Sequence, residues 1–76
     1  METGSVVYKG TIKGKFKGFK NNTVYEFMDG AKWRQNETKF LNQFKLSPEV
    51  QIIFKENKYY MEVRGIDEKV EVKRIK

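Results

Sequence analysis

The sequence predicts an all-β fold, a small barrel of five or six short antiparallel strands. Three observations carry this expectation. Residues 6–16 alternate between apolar and charged side chains, residues 24–35 read as a hairpin closed by Asp29-Gly30, and residues 50–64 read as a second hairpin closed by Glu56-Asn57. Alternation with a period of two is the mark of a strand with one buried face.

In the first run, Val6, Tyr8, Ile12 and Phe16 share a face with Gly10, Gly14 and Gly18, while Lys9, Thr11, Lys13, Lys15 and Lys17 share the other. Glycine weakens an ordinary strand, so three on one face point to bending or to close backbone approach. Asn21-Asn22 supplies a turn. The Asp29-Gly30 hairpin then has two closures open to it. A two-residue loop would set Phe27 against Lys32 and Glu26 against Trp33. A bulged three-residue loop pairs Phe27 with Ala31 and Tyr25 with Trp33, and sets Glu26 opposite Lys32. Only the bulged form separates an apolar face from a charged one, and that separation fixes register.

Residues 36–47 fit two descriptions. Phe40, Asn42, Phe44 and Leu46 suit a strand, whereas Phe40, Leu41 and Phe44 suit one helical turn; a strand or irregular connection is expected. Pro48 opens the next strand, where its missing N–H does least harm. Across Glu56-Asn57 a two-residue loop pairs Phe54 with Tyr59, Ile52 with Met61 and Val50 with Val63, leaving Ile53 and Tyr60 outward. Residues 65–68 form a tight link, and residues 69–75 a last strand with Val70 and Val72 inward.

Seventy-six residues are expected to form a single domain spanning 1–76. Such a chain buries roughly 60% of its unfolded surface, so one core is the limit. Cysteine and histidine are both missing from the sequence. That removes disulfides and thiolate metal sites, and with them the commonest general base and transition-metal ligand. No cofactor is expected. Residues 1–5 lack the basic and apolar runs of a signal peptide, and no apolar stretch reaches the roughly 20 residues of a membrane span. A cytoplasmic protein without a membrane partner is the expectation.

The order of a Gly-rich first strand, Thr23-Val24-Tyr25-Glu26-Phe27, Gly30 and Trp33-Arg34-Gln35 resembles small bacterial proteins of unknown function. Pro48-Glu49-Val50 before a strand, and Gly65 before Val70-Glu71-Val72-Lys73-Arg74-Ile75, extend the resemblance over nearly the whole chain. It implies an SH3-like or Sm-like barrel, and it supplies no activity and no functional residues. The chain departs from that pattern over residues 36–46, where the relatives run rich in tyrosine.

Glu26, Asp29 and Glu37, or Asp67 and Glu68, could supply acid–base chemistry. Without histidine, cysteine or a substrate cradle they read as solvated charges and turn formers, and an enzyme is disfavoured. Trp33, opposite Tyr25, reads as core rather than as a stacking platform, and Gln35 as a structural hydrogen-bonding group. The net charge of +6 suits an anionic partner and equally suits solubility. Lys9, Lys13, Lys15, Lys17 and Lys20 form the candidate binding surface, able to contact phosphates as point charges. The competing reading is a strand protected from aggregation by its lysines. Val7, Val24, Ile53 and Tyr60 face outward in this register, which makes a homo-oligomer a second candidate property. The function expected is therefore a non-enzymatic binding or assembly module with a basic face, its partner an acidic protein or nucleic acid. The alternative is a weak, sequence-nonspecific RNA- or DNA-binding protein.

Overall fold

Glycine and turn residues cut the alternating sequence into short extended pieces. The computed structural model describes residues 4–75, and among them the regular elements are eight strands with no helix. They are β1 (Ser5–Thr11), β2 (Lys15–Phe19), β3 (Val24–Glu26), β4 (Lys32–Gln35), β5 (Leu41–Leu46), β6 (Glu49–Lys55), β7 (Lys58–Val63) and β8 (Lys69–Arg74). No helix in this set is long and apolar enough to cross a membrane.

Six strands form one sheet in the order β1-β6-β7-β8-β4-β3, and β2 and β5 form a separate two-stranded ribbon; every pairing is antiparallel. The ladders do not run into a continuous ring. A single bridge, Ile12 with Phe27, joins the residues just beyond β1 to those just beyond β3, the two outer strands of the sheet. Lys13 N–H donates to the Glu26 carbonyl at 2.9 Å and Met28 N–H to the Thr11 carbonyl at 2.8 Å.

Both hairpins take the register expected from the sequence. Tyr25 lies opposite Trp33 and Glu26 opposite Lys32, with Phe27 N–H bonded to the Ala31 carbonyl at 2.9 Å and Gly30 at φ 93°. In the second hairpin Val50, Ile52 and Phe54 oppose Val63, Met61 and Tyr59. Its turn residues Glu56 and Asn57 both take positive φ, the geometry that matches the twist of the flanking strands. Separation of apolar from charged faces selected the first pairing; in the second, Phe54 and Tyr59, on the face expected inward, are exposed at the strand ends.

One core follows. Phe16, Phe19, Tyr25, Phe27, Trp33, Ile52, Met61, Val70 and Val72 belong to a single buried cluster, with Tyr8, Leu41 and Ile66 packed against it. The ribbon contributes its inner face, Phe16, Phe19 and Leu41, and so covers the sheet. Each fully buried side chain of this size contributes about 1.5–3 kcal/mol by leaving water.

The sequence reading is corrected at three places. The strand count rises from five or six to eight, chiefly because the single run read over residues 6–16 belongs to two strands, β1 and β2, while residues 41–46 form the strand expected in that segment. Gly14, at φ 77°, breaks the first run, and β2 leaves the sheet to pair with β5. Val6, expected inward with Tyr8, is exposed, because the register with β6 shifts between Val6 and Tyr8. Ile53, expected outward, is buried: it pairs with Val6 on one side and Tyr60 on the other, and the Gly4 backbone runs against it.

Gly18 sets the ribbon. Its φ is 108°, and a Cβ there would collide with the Leu41 carbonyl group. Gly14 also has positive φ but faces open space. Gly14→Ala is therefore expected to cost only the left-handed backbone strain, about 1–2 kcal/mol. Gly18→Ala adds backbone collision and should cost on the order of 3 kcal/mol or more. Urea unfolding of the two variants checks this; equal losses would contradict the close approach of β2 to β5.

Candidate functional site: a basic and aromatic ribbon face

The break at Gly14 redistributes the candidate lysines. Lys13, Lys15, Lys17 and Lys20 surround one shallow depression of about 270 Å³, whose other walls include Thr23, Val24, Tyr25 and Glu26. Lys9 stays on β1 and faces a different concavity of about 730 Å³, where Glu49, Glu62, Arg64 and Asp67 mix the charge. The structure thus brings four of the five residues together and separates the fifth.

All five are exposed, and none forms an ion pair among the described residues. The pairs present lie elsewhere: Arg64–Glu49 at 2.7 Å, Lys39–Glu68 at 3.9 Å and Lys58–Glu71 at 3.9 Å. Glu26 is the carboxylate within the depression, and it sits across the hairpin from Lys32. Four like charges around one hollow repel one another, and an anion placed there relieves that repulsion.

Beside the lysines lie side chains that the sequence did not single out as a site. Lys15 pairs directly with Leu46 of β5, and both are exposed, so both stand on the outer face of the ribbon. Phe44 and Lys17 continue that face by strand alternation. Phe40, just before β5, is 71% exposed, Phe44 58% and Leu46 70%. Periodicity alone leaves the parity of this strand open, since Phe40, Phe44 and Leu46 would serve as well inside as outside. Two tertiary contacts decide it, one across the ribbon and one through a buried amide just upstream of β5.

The first contact is the pairing of Leu41 with buried Phe19, which turns Leu41 inward. The second is Gln35. Its side chain is 1% exposed, accepts a hydrogen bond from Tyr25 Oη at 2.8 Å, and donates to the carbonyls of Glu37 and Lys39 at 2.9 Å each. One buried amide thus holds both ends of the approach to β5. Glu37 adds a further tie by accepting Glu71 N–H at 3.0 Å. This is the structural hydrogen-bonding role expected of Gln35.

The remaining candidates have structural work. Asp29 closes its turn by accepting Ala31 N–H at 3.0 Å and Tyr8 Oη at 2.7 Å. The Ala31 bond first, and the Tyr8 bond second, hold its carboxyl below the usual range. Trp33 is buried as expected, with its ring 5.4 Å from Tyr59 and 6.3 Å from Tyr8. The Arg74 guanidinium stands 5.9 Å from the indole, within cation–π range. Trp33 Nε1 finds no acceptor among the described residues.

No protein-family model, curated protein or solved structure matches the chain. The site's meaning rests on its own residues.

Gln35→Leu would leave the Glu37 and Lys39 carbonyls without their donor and the Tyr25 hydroxyl with only the long 3.4 Å bond to the Gly18 carbonyl. It should cost about 2 kcal/mol or more and speed amide exchange at residues 36–41. Unchanged exchange there would remove Gln35 as the anchor of β5. The phenols give a second check. Burial pushes Tyr8 up to about 12, with the Asp29 bond adding to it, and burial likewise pushes Tyr25 up to about 12. Their contribution to stability is complete below pH 10 and is lost as pH climbs through 12. Tyrosinate absorbance should retain a component that rises only near pH 12, diminished by Tyr8→Phe and by Tyr25→Phe. A titration completed near pH 10 would contradict both environments.

Proposed function

We propose that this chain is a non-enzymatic binding module, folded as a small SH3-like or Sm-like barrel, that presents its ribbon face to an anionic partner. The barrel reading is supported by the Ile12–Phe27 bridge between the outer strands of the sheet, and by the ribbon that covers its core. The binding reading is carried by one observation: Lys13, Lys15, Lys17 and Lys20 gather round a single hollow, and none forms an ion pair among the described residues. A lysine row serving solubility alone has no need to converge. Self-association through the same face is disfavoured, because two copies would bring like-charged lysine clusters together.

Titration with inorganic polyphosphate at two salt concentrations tests this. Binding should weaken as salt rises. Lys13→Glu/Lys15→Glu/Lys17→Glu should lower affinity by about tenfold or more. Lys9→Glu/Lys55→Glu/Lys73→Glu, an equal change in net charge away from the ribbon, should lower it much less. Equal losses from the two triple variants would reduce the basic face to overall charge and overturn the reading.

A further inference from the structure

The ribbon face carries more than charge. Phe44 stands largely in water on β5 beside the Lys15–Lys17 stretch, and Phe40 stands largely in water just before β5, one residue ahead of the Leu41–Phe19 pair; four residues at strand spacing set the two about 13 Å apart. Rings held exposed to water are costly to keep, and a stretch of polyphosphate or acidic side chains would leave them unused. A strand of unpaired bases uses both features, since each nucleotide brings one phosphate and one π face.

We infer that the anionic partner of the ribbon is a single-stranded nucleic acid, with Phe40 and Phe44 as stacking surfaces and Lys15 and Lys17 as phosphate contacts. This rests on the basic-face reading above and gives it a partner. Lysine meets phosphate as a point charge, and this face offers no arginine fork for reading base edges, so binding is indifferent to sequence. Duplexes are poor ligands, because their bases are already stacked and withdrawn from protruding rings. A lipid surface would need an unbroken apolar face, whereas Asn42 stands exposed between Phe40 and Phe44. Phe40 and Phe44 carry no core packing, so their removal leaves the fold intact, which a thermal melt of the variant verifies.

The test uses a fluorescein-labelled dT12 oligonucleotide, inorganic polyphosphate, a 12-base-pair duplex and phosphatidylglycerol vesicles. Wild type should bind dT12 more tightly than the duplex. Phe40→Ala/Phe44→Ala should weaken dT12 by about tenfold or more, leaving its salt dependence and the polyphosphate affinity unchanged. Lys15→Gln/Lys17→Gln should instead flatten the slope of log affinity against log salt by about 1.4, from about 0.7 per single-strand phosphate contact. If the phenylalanine variant binds dT12 as wild type does, or if the duplex binds equally well, the stacking inference falls while lysine-dependent polyphosphate binding keeps the basic face. Vesicle binding that is tighter than dT12 binding and lost with the two rings would reassign the face to lipid. Failure to bind any polyanion would overturn both readings.

Discussion

The close approach of β2 to β5 at Gly18 is the constraint on which the rest of the structure depends. The Leu41 carbonyl occupies the space a side chain would fill, so two backbones meet where most residues would hold them apart. That contact lets a ribbon only two strands wide lay Phe16, Phe19 and Leu41 over the core. A two-stranded ribbon is marginal alone in water, and here it is kept by what it buries. The opposite face of the same ribbon is left to solvent, and that is where the lysines and phenylalanines stand.

Gln35 converts this packing into a defined surface. It lies at the end of β4, bonded to Tyr25 on one side and to the carbonyls of Glu37 and Lys39 on the other. A shift of one residue in β5 would turn Phe44 and Leu46 inward and expose Leu41. The saturated amide resists that shift, because the alternative leaves several polar groups buried without partners. Core chemistry therefore fixes which side chains meet solvent 35–46 residues into the chain, and the surface inherits its order from the interior.

The parts legible in the sequence were those governed by neighbours along the chain. Asp29-Gly30 and Glu56-Asn57 specify their turns, and the hairpin registers follow once apolar faces are matched. The burial of Trp33, Val70 and Val72 follows from the same alternation. What escaped was governed by contacts across the fold. Gly14 breaks a run whose alternation continues past it, so Lys9 parts from Lys15 and Lys17 with no change in pattern. The register shift beside Val6 and the burial of Ile53 depend on how β1 lies on β6. The outward parity of Phe40, Phe44 and Leu46 depends on Phe19, far away in the chain, and on Gln35, whose close sequence position gives no sign that its amide is buried and bonded to Tyr25. The lysines were visible as a set, but their aromatic companions were not.

A fold this small has one core and little spare surface, so a binding face must be the back of an element whose front is structural. The β2–β5 ribbon meets that description, with aromatic packing inside and charge with exposed rings outside. The most direct measurement is an amide chemical-shift map of the labelled protein titrated with dT12. The largest shifts are expected at Lys15, Lys17, Phe40, Phe44 and Leu46, fading across the sheet toward β6 and β7. Shifts centred instead on Lys9, Glu49 and Arg64, or no shifts at all, would contradict a binding face on the ribbon.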